Sequence, residues 1–156
     1  MKTRKNIHII ATIILLLVLS SCIPTKRAYV GPKQKKSSLA IVKGINSTKV
    51  KETTRLLRAD TITLFPLIDA IHFSSQDNRC AVLPENHTFE MALIQKNGDV
   101  EMLVGDYLVN FDAEAGKTYV IGARIEPLTS IVDVYVTEEK SGKRVPATVE
   151  YKYKLK

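Results

Sequence analysis

The reactive side chains of this 156-residue chain are few: two cysteines, Cys22 and Cys80, and three histidines, His8, His72 and His87. A soft metal ion takes imidazole nitrogen and thiolate sulfur together, and His72, Cys80 and His87 are the residues available for that. No C-x-x-C or H-x-x-x-H spacing gathers them, so the sequence assigns no metal and no cofactor. A hydrolytic site needs a nucleophile with a base in reach. No G-x-S-x-G elbow is present, and Ser74, Ser75, Ser130 and Ser141 fall in turn-like stretches. His87 with Asp112 or Glu114 is the remaining combination, since triads are defined by space and not by order. Asp112 and Glu114 in "FDAEAG" point the same way in an extended chain, about 7 Å apart, a spacing used by general acid/base pairs. Acids ahead of Ala-Gly are also the ordinary composition of a solvated turn. No glycine-rich phosphate loop is present.

Cys22 is distinguished by what precedes it. Lys2, Arg4 and Lys5 carry positive charge with no acid nearby, and the apolar run Ile7 to Leu19 follows, broken only by His8, Ala11 and Thr12. A helix of that length rises about 20 Å, short of the ~30 Å hydrocarbon core. A basic start, a short apolar core and small residues at its end predict a secretory signal peptide over residues 1–21.

At its end, Leu19-Ser20-Ser21-Cys22 resembles the bacterial lipobox, a large aliphatic residue and two small ones ahead of a cysteine. The resemblance implies that the Cys22 thiol takes a diacylglyceryl group and that the chain is then cut between Ser21 and Cys22. Palmitate-type chains on Cys22 would anchor the protein, since each buried CH₂ contributes ~0.8 kcal/mol and several chains together hold firmly. Ile23, not Asp, follows Cys22; by the sorting rule of enteric bacteria this implies the outer membrane, facing the periplasm.

Charge is distributed unevenly. Eight of the 23 cations precede Ala40 and none of the 16 acids does, so the rest of the chain is close to neutral. The basic character belongs to the signal and to residues 22–39, which contain Lys26, Arg27, Lys33, Lys35 and Lys36. Nucleic-acid binding calls for cations gathered on a folded face, and no nucleic acid is expected as a partner. "TKRAYVGPKQKKSS" contains Pro, Gly and Ser without hydrophobic periodicity and predicts a flexible tether over 22–39. Its cations suit anionic headgroups or wall polymer, or simply water.

Residues 40–156 form the expected domain. With Cys22 acylated, Cys80 is the one remaining thiol and no internal disulfide is available. Cys80, in the apolar stretch "NRCAVL", fits a small buried side chain. Stability must therefore come from a single core. The domain reads as strands: "SLAIVKG", "TITLF", "IDAIHF", "HTFEMALIQK", "VEMLVGDYLVNF", "TYVIGARIE", "SIVDVYV" and "VPATVEYKYKLK". "NGD" at Asn97 to Asp99 predicts a tight hairpin, and Gly105 a division or bend. Tyr119, Ile121, Ala123 and Ile125 share one face, as do Val132, Val134 and Val136. Lysines along the last strand predict an edge protected against further pairing. "STKVKETTRLLRAD" dissents, with Val50, Thr54 and Leu57 near helical spacing. Short strands between turn signals predict an all-β antiparallel β-sandwich.

"LPENHTFEM", followed some twenty residues on by "VNFDAEAGKTYVIGA", resembles bacterial lipoproteins with PEGA-like or transthyretin-like sandwich domains, "LIDAIHF" matching the strand ahead of them. The resemblance covers about Ile68 to Val136 and implies an Ig-like or transthyretin-like sandwich, without catalytic residues. Glu85 and Ala70 stand where the pattern has Gly, which requires turns without positive φ there.

These readings converge on a non-enzymatic binding or accessory module, lipid-anchored in the bacterial envelope. Its partner would be an envelope protein or polymer. Candidate contact residues are Ser74, Ser75, Gln76, Asp77, Asn78 and Arg79, with the "AEAGK" turn beside them. The alternative is a small envelope hydrolase or metal-handling protein using His72 and His87.

Overall fold

The computed structural model describes residues 26–45, 52–64, 78–97 and 100–153. Two sheets pack face to face. The first contains β1 (Lys26–Arg27), β2 (Ala40–Gly44), β5 (Arg79–Val82), β8 (Thr118–Ile125), β9 (Val132–Glu138) and β10 (Arg144–Val145), in the order β1-β5-β2-β8-β9-β10. The second contains β3 (Glu52–Ala59), β4 (Ile62–Thr63), β6 (Asn86–Asn97), β7 (Val100–Asp112) and β11 (Thr148–Tyr153), in the order β11-β7-β6-β3-β4. The architecture is an all-β sandwich. Most pairings are antiparallel, but β1 with β5 and β2 with β8 run parallel.

Alternation produces the core. On β6, Phe89, Met91 and Leu93 are fully buried and face Leu56 of β3 and Tyr107 and Val109 of β7. From the other sheet come Ala40, Val42, Cys80, Val82, Tyr119, Ile121 and Val136. Val132, Val134 and Ile125 pack against them, as their period-two spacing predicts. β7 is one bent strand: Leu93 pairs with Gly105 and Ile94 with Leu103, leaving Val104 as an extra residue. Gly105 belongs there, because a Cβ would lie 3.0 Å from the Tyr151 ring. The hairpin ladder closes on Asn97 with Val100; the two residues between are outside the described set.

Three expectations change. The near-helical stretch is strand β3. Leu57 is the extra residue where pairing shifts between Leu56 and Arg58, which breaks the period-two alternation: Leu56 joins the core while Leu57 packs with Ala92 and Leu103 on the other face. β-Branched Thr53 and Thr54 also favour a strand. "TITLF" supplies only the short β4; "IDAIHF", Val50 and the signal lie outside the described residues.

Most importantly, residues 26–39 are not a flexible tether. β1 pairs with β5, and the Ala28 amide donates to the Ala81 carbonyl at 2.9 Å. Ala28 and Leu39 are buried, the Lys26 ammonium bonds the Leu64 carbonyl at 2.8 Å, and Lys36–Ser38 form a 3₁₀ turn. Isolated anchoring residues leave no periodic signal, so the sequence reads as linker although it folds onto the domain. The described residues ahead of Ala40 therefore pack on the sandwich, where a tether was expected.

Candidate functional site

Among the described residues, a polar constellation lies where the turn after β3 meets the start of β6. Asp60 follows β3 with φ of 49°, in the left-handed region that Asp tolerates better than most residues. This geometry aims its carboxylate at β6. One oxygen accepts from the Thr88 amide at 2.9 Å, and the other lies 2.6 Å from Nδ1 of His87. The Asp60 amide donates to the Thr88 carbonyl at 2.8 Å, fixing the turn.

His87 is 3 % exposed, and its Nε2 lies 2.8 Å from the Leu83 carbonyl. Both ring nitrogens are within hydrogen-bond distance of oxygens, Asp60 Oδ2 and the Leu83 carbonyl, and the ring is buried between them. Its ring is 5.9 Å from Phe89, which stacks on Phe111 at 5.3 Å; Phe111 in turn meets Tyr119 at 5.2 Å. His87 thus closes the polar end of an aromatic column.

The acids expected beside His87 are engaged elsewhere. Asp112 accepts from the Asn86 carboxamide at 2.8 Å, and Glu114 pairs with Lys117 at 2.8 Å. Asp60 occupies the place expected for them. The "AEAGK" segment is a turn whose bonds explain its composition. Gly116 has φ of 76° and donates to the Leu39 carbonyl, while the Glu114 amide donates to the Tyr119 hydroxyl at 3.0 Å. Glu85 is not among the residues of positive φ, so the turn before β6 needs no glycine at that position.

Cys80 is fully buried on β5. Burial, reinforced by the negative charge of Asp60, pushes its thiol pKa up to about 12. It stays protonated at physiological pH and is a poor nucleophile. Among the described residues no three His, Cys, Asp or Glu side chains are grouped to hold a metal ion; His72 lies outside them.

Of the candidate contact loop, residues 74–77 are outside the described set. Asn78 is not available as a contact residue, because it is buried and used internally. Its carboxamide accepts from the Leu56 amide at 2.9 Å and donates to the Thr54 carbonyl at 2.5 Å. Its own carbonyl accepts from Gly44 at 3.1 Å. The Thr54 hydroxyl donates to the Ile121 carbonyl at 2.6 Å and accepts from the Ile45 amide at 2.7 Å. Together these groups sew the two sheets together. A Cβ on Gly44 would run into the Thr54 carbonyl, so only glycine fits this seam. Arg79 is half-buried on β5. Asn78 resembles any loop polar residue in sequence; nothing local marks it as internal.

On the outer face of the second sheet, Glu90 pairs with Lys152 at 2.9 Å and lies 3.9 Å from Arg58. Asp106 is buried nearby, and its Oδ1 has no hydrogen-bond partner among the described residues. Burial, then the charge of Glu90, raises its pKa, partly offset by Lys152. A shallow depression of about 280 Å³ over Thr88, Leu108, Asn110, Thr148 and Glu150 is lined by a carboxamide, hydroxyls and one carboxylate.

The remaining unusual feature is basic. Arg27, Lys33, Lys35 and Lys36 are exposed, and their side chains make no hydrogen bond or ion pair among the described residues. Elsewhere Lys43, Arg58, Lys96, Lys117, Arg144 and Lys152 are each matched with a carboxylate. Comparison of the chain with known families, with characterised proteins and with solved structures finds no match.

Proposed function

We propose that this chain is a lipid-anchored protein of the bacterial envelope, held at Cys22, whose sandwich acts as a non-enzymatic binding or accessory module. The observation that carries the reading is Leu19-Ser20-Ser21-Cys22 placed at the end of a short apolar run behind a basic start. The site geometry supports binding over catalysis. His87 is engaged at both nitrogens and Cys80 is a buried, protonated thiol, so neither described group of the hydrolase or metal-handling alternative is poised for chemistry. The outer membrane facing the periplasm is the proposed location, and a PEGA-like or transthyretin-like domain the proposed kinship. Surface loops at the ends of a sandwich are its usual contact points, and the exposed residues Glu114 to Gly116 of the "AEAGK" turn, with residues 74–77, are proposed here.

The test is cross-linking in the producing cell followed by mass spectrometry. One dominant envelope partner, lost when residues 74–77 are replaced, is the expected result. A hydrolytic or metal-dependent activity abolished by His87→Gln, in protein that remains folded, would overturn it.

A further inference from the structure

The described fold begins at Lys26, and only Ile23, Pro24 and Thr25 separate it from Cys22. Four Cα steps of at most ~3.6 Å span about 14 Å. If Cys22 carries the lipid, as proposed above, the domain cannot sway on a long tether, because its β1 edge stays close to the bilayer. That edge leads directly into the β1–β2 connection, where Lys33, Lys35 and Lys36 join Arg27 as exposed cations without carboxylate partners among the described residues. Of the acids at this end, Asp60 lies against His87, Glu114 pairs with Lys117, Asp112 accepts from the Asn86 carboxamide, and Glu85 is exposed. β10 forms the opposite edge of the sheet, five strand spacings or about 24 Å away. The β8–β9 loop follows Ile125 beyond the Gly44 end of β2, whereas the β1–β2 connection enters β2 at Ala40.

We infer that the segment Arg27 to Lys36 is a docking surface for anionic phospholipid headgroups, holding the sandwich with its β1 edge toward the bilayer and the β8–β9 loop away from it. Charge and chain length both favour it. Cations close to an anionic surface contribute ~1 kcal/mol each, roughly a fivefold change in partition per residue, and the short link keeps them there.

The chain has no tryptophan, so a single reporter can be placed. Val30 is 90 % exposed within the segment and Leu128 is 97 % exposed in the β8–β9 loop, so neither replacement disturbs packing. Val30→Trp and Leu128→Trp are prepared as acylated full-length proteins in vesicles of brominated phosphatidylcholine, with and without phosphatidylglycerol. The expected result is stronger bromolipid quenching of the Val30→Trp protein than of the Leu128→Trp protein. The difference should widen with phosphatidylglycerol and shrink when Arg27, Lys33, Lys35 and Lys36 are replaced by Gln. Replacing Lys140 and Lys143, in the turn beside the far edge, should leave it unchanged. Equal or reversed quenching in acylated protein overturns the inference. So does shielding of the Val30→Trp reporter from both bromolipid and aqueous iodide, which would mean that protein covers the segment. Protein recovered without acyl groups on Cys22 would instead show that the anchor reading itself fails, and the orientation with it.

Discussion

At the scale of single residues, two of the groups that invite chemistry in the sequence, His87 and Cys80, are engaged in structural work among the described residues. Asp60 and His87 join a turn to a strand through three charge-assisted or backbone contacts. Hydrogen bonds to charged groups contribute about 1.5–3 kcal/mol, and the carboxylate's partial exposure places this one low in that range. Asp60→Ala also puts a residue without Asp's tolerance into left-handed backbone. We therefore expect it to cost about 2–3 kcal/mol in urea unfolding, with fold retained. Cys80 should resist alkylation in the folded protein near neutral pH and react promptly once denatured, as mass spectrometry would record. Asp106 gives a pH dependence of definite sign. Its folded pKa is raised, so above its ordinary value of 3.8 the folded state holds a proton that the unfolded state has lost. Stability attributable to this group therefore falls as pH rises through the interval between the two values. Asp106→Asn should remove that slope and raise stability at neutral pH by about 1 kcal/mol, read from denaturation midpoints across that interval. His87 and Cys80 are legible in the sequence as candidates by type. Their roles are not, because the partner Asp60 and the burial of β5 are long-range facts.

At the scale of elements, period-two alternation makes most strands legible: β6, β8 and β9 present the faces that their sequences predict. What fails to show is irregular. The bulge at Leu57 disguises β3 as a helix, and the buried Ala28 and Leu39 are hidden in a stretch with the composition of a linker. The seam at Gly44, Thr54 and Asn78 is equally silent, since it ties residues far apart in sequence. It is nevertheless a closely packed joint between the sheets. Gly44→Ala is expected to destabilise by more than about 3 kcal/mol, because backbone and not a flexible side chain blocks the new methyl group. Asn78→Ala leaves a buried amide and carbonyl without their partners and should cost about 2–5 kcal/mol. Thermal unfolding of both variants checks the assignment; near-native melting of either would contradict it.

At the scale of the whole molecule, residues 26–39 belong to the folded sandwich. A domain cut to begin at Ala40 loses β1, buried Ala28 and the cover over Leu64's carbonyl, and should melt lower than one beginning at Lys26. An unchanged melting temperature would restore the tether reading. The near-neutral sandwich beneath a concentrated basic segment also explains why overall charge misleads here, since it describes one end of the molecule and not its surface at large. The central claim is that Cys22 is the point of attachment, and metabolic labelling with an alkyne palmitate, followed by mass analysis of the mature N-terminus, tests it most directly. The account predicts acyl groups on an N-terminal Cys22 and their loss in Cys22→Ser. An unlabelled chain, or one whose mature N-terminus is not Cys22, would contradict it.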